Sequence, residues 1–110
     1  MSGRDYLGEF EHLIVLAVLR LGDDAYGVTV RREIESRTRR DVSIGAVYAT
    51  LDRLEDKGLI KSQLGDPTPE RGGRSKRFFE VTAKGVAALS RTRRALESMT
   101  EGLAAIRSYS

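Results

Sequence analysis

The chain of 110 residues contains no cysteine and no tryptophan, only two prolines and a single histidine. Without cysteine there are no disulfides and no thiolate metal ligands, and one histidine, His12, cannot assemble a histidine-based metal or catalytic site. His12 therefore reads as a helix-surface or interface residue. Long apolar runs are missing as well: the longest, Leu13 to Leu19, is far short of the roughly 20 residues a membrane-spanning helix needs. No signal-peptide pattern precedes it. With no clustered acids in a loop either, the expectation is a soluble, cytoplasmic protein that is not an enzyme and carries no cofactor.

Charge of one sign is not in excess overall, since the formal net charge is only +3. The distribution is more telling. Residues 31–40 hold five Arg against two Glu, and residues 57–77 hold six Lys or Arg against two acids, whereas residues 1–24 hold five acids against two Arg. Two basic regions of this kind suit a polyanionic partner if the fold sets them side by side.

Residues 7–21 are apolar almost all round a helical wheel, so that helix needs cover on more than one side. Gly22-Asp23-Asp24 breaks it, with Asp24 a candidate cap for a second helix over Tyr26–Thr38. On that helix Tyr26, Val30 and Ile34 recur at spacing four and turn inward, leaving Arg31, Arg32 and Arg37 outside. Ser43 is the expected N-cap of a third helix, whose inner side is Ile44, Val47, Leu51 and Leu54 and whose C-terminal cap is Gly58. Residues 60–64 and 77–81 read as two short strands joined by a long, basic hairpin connection. Thr82 suits the cap of a last helix from Ala83 to about Arg107, with Leu89, Leu96, Met99, Leu103 and Ile106 as its apolar stripe.

The predicted fold is mainly α with a small β-hairpin: a winged helix-turn-helix with a long C-terminal dimerisation helix. Residues 1–82 form the winged helix-turn-helix unit, and residues 83–110 the dimerisation helix, packed on the first helix. Leu13, Leu16, Leu89, Leu96, Met99, Leu103 and Ile106 are the expected dimer interface.

The third helix carries the functional signal. Its first turns expose Gly45, Ala46 and Ala49, while Asp52 and Asp56 come later, so only its N-terminal end can enter a major groove without setting acids against phosphate. Ser43, Gly45, Ala46, Tyr48, Ala49 and Arg53 are the expected major-groove residues. Tyr48, on the flank, either anchors a phosphate through its hydroxyl or packs. Arg39 and Arg40, in the preceding turn, are candidates for the phosphate backbone. In the hairpin connection Arg71, Gly72, Gly73, Arg74 and Lys76 have the character of a wing: glycines for a reversal, cations for phosphate or the minor groove. A nucleotide-phosphate loop would need a strand before it, a helix after it and a Lys-Ser/Thr pair, and none of these fits. A winged-helix protein–protein module that binds no DNA is the alternative from another class, and the neutral N-terminal half of the third helix argues against it.

The stretch Gly45-Ala46-Val47-Tyr48-Ala49-Thr50-Leu51-Asp52-Arg53-Leu54-Glu55-Asp56-Lys57-Gly58-Leu59-Ile60 closely resembles the signature of the PadR family of bacterial transcription regulators. Ala25-Tyr26-Gly27 is similar to the family's His-Gly-Tyr region, and residues 72–85 resemble its wing, second strand and helix start, with Phe79 where members often carry Tyr. The resemblance spans about residues 7–90 and extends to the subgroup with one terminal helix. It implies a homodimer on double-stranded promoter or operator DNA, a repressor-like role and room for a small-molecule effector. Some short members hold flat aromatic compounds with a tryptophan of the terminal helix. This chain has none, and its terminal helix has no aromatic residue before Tyr109.

Overall fold

The computed structural model describes residues 6–65 and 76–105. Of the expected contact residues, Arg71, Gly72, Gly73, Arg74 and Ile106 lie outside the described residues.

The order is helix α1 (Glu9–Leu21), a 3-10 turn (Gly22–Asp24), helices α2 (Gly27–Thr38) and α3 (Ile44–Asp56), strands β1 (Ile60–Leu64) and β2 (Arg77–Val81), and helix α4 (Ala83–Thr100). The strands pair antiparallel with Ile60 opposite Val81 and Leu64 opposite Arg77, which makes the two-stranded hairpin of a winged helix. Helices α1, α2 and α3 enclose a core whose fully buried members are Ile14, Val15, Val30, Val47, Leu51, Leu54 and Ile60. Most of α1 is covered, and Leu19 is the exposed large apolar residue on it. Ile14, Val15, Ala17 and Val18 are in the core, and Phe10, Leu13, Leu16 and Leu21 are half-buried against it.

Local signals set most boundaries. Ser43 Oγ accepts from the Ala46 N–H at 3.0 Å and starts α3, and Thr82 Oγ1 accepts from the Gly85 N–H at 3.1 Å and starts α4. At the other end of α3 the Gly58 and Leu59 N–H groups donate to the Glu55 and Leu54 carbonyls, a helix-ending pair of bonds that turns the chain into β1.

Two boundaries differ from expectation. Asp24 is not the cap of α2: it ends the 3-10 turn, and the extended residues Ala25 and Tyr26 then run beside β2. The Phe79 N–H donates to the Ala25 carbonyl at 2.8 Å, so the helix cannot begin before Gly27. Tyr26 is the capping residue, its N–H donating to Thr29 Oγ1 at 3.0 Å. Helix α4 stops at Thr100 instead of reaching Arg107, because Glu101 is extended and Gly102 follows at φ +79°, a left-handed backbone that cannot continue a helix.

The first half of α4 lies against the N-terminal segment and α1: Ala88, Leu89 and Thr92 are buried, and the Leu7 N–H donates to Thr92 Oγ1 at 2.9 Å. Beyond it the cover ends. Leu96, Met99 and Leu103 are 56 %, 77 % and 50 % exposed, beside a groove of about 520 Å³ lined by His12, Leu13, Leu16 and Leu96 among others. Burial, and then the nearby charge of Arg93, push the His12 imidazole below its ordinary value and so favour its neutral form. Among the described residues no helix is long and apolar enough to cross a membrane, and no group of His, Cys, Asp or Glu could hold a metal ion.

Candidate nucleic-acid interface

Helical periodicity divides the exposed surface of α3 into an outward strip and two flanks. Ser43, Gly45, Ala46 and Ala49 are exposed at its N-terminal end, and none carries a side chain longer than a hydroxymethyl group. That end of the helix is a bare, neutral ledge.

Tyr48 leans off the ledge onto the start of α2. A Cβ built on Gly27 would stand 2.3 Å from the Tyr48 ring and hydroxyl, so only glycine at position 27 lets the phenol lie across that helix terminus. Both readings of Tyr48 hold in part: the ring packs, while the residue stays 37 % exposed beside backbone N–H groups that carry the positive end of the α2 dipole. Lys76 reaches the same neighbourhood from the wing. Its Nζ lies 4.4 Å from the Tyr26 ring centroid and donates to the Tyr26 hydroxyl at 3.3 Å, and Phe78 meets Tyr26 edge-on at 5.5 Å. The wing base, the α2 terminus and one side of α3 thus converge on Tyr26, Gly27 and Tyr48.

On the α1 flank of α3 stands an acid. Glu11 is 8 % exposed, and its Oε2 accepts from Arg53 Nε and Lys57 Nζ at 3.2 Å each, while its Oε1 accepts from the Gly8 N–H at 3.0 Å. Burial works to raise its pKa, but the Gly8 N–H together with Lys57 and Arg53 outweighs it and holds the carboxyl below the ordinary range. Arg53, expected at the groove with Ala49, is turned toward α1 by this pairing and also donates to Thr50 Oγ1 at 3.4 Å. On the wing flank the signs reverse. Arg77 on β2 bonds Asp52 Oδ1 at 3.1 Å and also pairs with Glu55, whose carboxylate accepts from the Ser62 hydroxyl at 2.7 Å. The Ser62 hydroxyl and Arg77 hold the Glu55 carboxyl below its ordinary value against the opposing effect of burial.

The remaining arginines divide similarly. Arg20 and Arg37 share Glu33, and Arg31 pairs with Glu35. Arg40 bonds Glu9 at 3.2 Å and sits over the Phe10 ring, which draws it toward α1. Arg39 ends α2 in the left-handed region at φ +60° with its side chain exposed, and neither it nor Arg32 has a carboxylate partner among the described residues. Arg77 and Glu11 are the residues that sequence reasoning missed as parts of this surface. Glu11 had one local signal, its place three residues after Gly8, which accounts for its capping bond but not for its grip on α3.

Residues 15–91 match the PadR-like transcriptional regulator family. The chain belongs to this family. It is 38 % identical over 79 residues to the transcriptional regulator Rv3488 of Mycobacterium tuberculosis, covering 70 % of this chain and 67 % of that protein. Among solved structures, RosR of H. salinarum superposes with a TM-score of 0.68 at 25 % identity, over 98 % of this chain and 89 % of that one. A PadR family transcription regulator from Clostridium difficile superposes with a TM-score of 0.67 at 21 % identity, over 84 % and 92 % respectively. The PadR-like family is one of transcriptional regulators and not of enzymes.

Proposed function

We propose that this PadR-like protein is a cytoplasmic repressor that binds a near-palindromic operator as a homodimer. The observation that carries this reading is the bare ledge of α3, where Ser43, Gly45, Ala46 and Ala49 stand exposed while Asp52 and Glu55 pair with Arg77 on one flank and Glu11 pairs with Arg53 on the other. A major groove can accept such a helix end closely, with the Ala49 methyl suited to thymine and Tyr48 to a phosphate. Lys76 extends the phosphate footprint from the wing, and Arg71 and Arg74 continue it in this proposal. Arg39 and Arg40 supply backbone cations at the turn, Arg40 by exchanging Glu9 for phosphate. Half-buried Leu13 and Leu16, together with exposed Leu96, Met99 and Leu103, support a second copy on the α1 and α4 side, and with it two half-sites. The groove beside His12 offers a small effector a place from which to alter the spacing of the two reading heads.

The test is selection of bound sequences from a random duplex pool, followed by titration of the selected and an unrelated duplex and by sedimentation of the protein alone. Expected are a dimer at micromolar concentration, an enriched site with two-fold symmetry and specific binding tighter than non-specific by about a thousandfold or more. A pool with no enriched sequence overturns the reading.

A further inference from the structure

We infer that Glu11 is a positioning residue for selectivity, which withholds Arg53 from nucleic acid and so keeps the reading end of α3 from capturing phosphate indiscriminately. The inference rests on the proposed DNA-binding role of α3 and goes beyond it by giving a function to a carboxylate on another helix.

A helical side chain is directed toward the N-terminus of its own helix and covers the surface over the preceding turn. For Arg53 that surface is Ala49 and Thr50, with small Ala46 one turn further on, and none of them obstructs a guanidinium. An unrestrained Arg53 would therefore sweep over the ledge itself and meet whichever phosphate came nearest. Such a contact strengthens the phosphate-held complex with an unrelated duplex more than a complex closely seated on its operator, and so lowers discrimination. Glu11 prevents it by holding Arg53 Nε at 3.2 Å on the α1 side, with Thr50 Oγ1 accepting a second bond from the same guanidinium. The carboxylate is well made for this task. Its side chain is only 11 % exposed, its other oxygen is fixed by the Gly8 N–H, and Lys57 Nζ at 3.2 Å strengthens its charged form. The acid is enclosed while the Arg53 guanidinium stays half exposed, so the pair is fixed from the Glu11 side.

Glu11→Gln tests the role with little disturbance, because the amide oxygen can still accept from Gly8. The readout is the slope of log K against log salt for an unrelated duplex, with circular dichroism confirming the fold. Release of Arg53 onto one phosphate should steepen that slope by about 0.9, which is roughly a threefold gain in non-specific affinity over a fourfold drop in salt. The ratio of specific to non-specific binding should fall accordingly. Arg53→Ala alone, a change at a half-exposed side chain that leaves the fold intact, should keep the parent slope, since Arg53 is already withheld. Glu11→Gln added to Arg53→Ala should also keep it. An unchanged slope in folded Glu11→Gln overturns the inference, as does a drop of about 0.9 in Arg53→Ala, which would mean that Arg53 touches phosphate in the parent. A parent that binds no duplex removes the proposed function itself, an outcome distinct from either of these.

Discussion

The two flanks of α3 are braced by the same means with opposite signs. Toward α1, one acid, Glu11, holds two cations, Arg53 and Lys57; toward the wing, one cation, Arg77, holds two acids, Asp52 and Glu55. They differ in depth. The Glu11 side chain is 11 % exposed and that of Arg77 is 38 %, so the central group of the first brace is the more enclosed, while the partners of both are exposed to a similar degree. Together they leave the strip between them neutral. On the proposed reading, affinity comes from groups around that strip, such as Lys76, Arg39 and the terminus of α2, and shape and small side chains discriminate.

The largest test fills the strip itself. Ala49→Leu places a branched side chain on the ledge proposed to enter the groove, and specific binding should weaken by several kcal/mol, on the order of one or two mismatched base pairs at about 1–3 kcal/mol each. Non-specific binding, measured by anisotropy on an unrelated duplex, should change little. Equal binding of the selected operator by a folded variant would show that the helix lies in another orientation.

Breaking the wing flank should act with the sign opposite to that expected for Glu11→Gln. Arg77→Ala uncovers Asp52 and Glu55 beside the approaching phosphates, so binding to every duplex should fall several-fold at low salt. Fold stability should drop by only about 0.2–1 kcal/mol, the range for exposed pairs. Denaturant midpoints and the low-salt titration measure the two effects separately. If Arg77→Ala strengthened binding, the charge balance across α3 would be wrongly assigned.

The smallest effect is on stability in acid. Glu11, Glu33 and Glu55 all have carboxyl pKa values lowered from the ordinary 4.5. A depressed carboxylate contributes stability that is fully present above the unfolded value and is lost as pH falls through the folded one. Denaturant midpoints should therefore hold steady above pH 4.5 and decline below it, and Glu11→Gln should flatten part of that decline. A decline equally steep in the variant would exclude Glu11 as a contributor.

Much of this molecule was legible from short-range chemistry. Ser43 and Thr82 cap the helices they were expected to cap, and both strands have the expected bounds, because caps and alternation act over a few residues. What was not legible depends on partners far away in the chain. Asp24 looked like a cap until Phe79 claimed Ala25, and the pairing of Arg53 with Glu11, 42 positions earlier, has no local signal. The end of α4 is a different case, since Gly102 was in plain view and the apolar stripe running past it carried more weight than it should have. The ledge residues were legible because smallness is a property of the residue alone.

The bond from the Phe79 N–H to the Ala25 carbonyl also imposes a chronology. Residues 25 and 79 are far apart in the chain, and joining them carries a loop-closure cost that contacts within a helix do not. During synthesis α1, α2 and α3 leave the ribosome well before β2 does, so the three-helix core can gather while the place beside Ala25 is still empty. Arg77 arrives only with that last strand, and until then Asp52 and Glu55 stand uncovered next to the ledge. The charge balance on the wing flank of α3 is thus completed only when β2 docks.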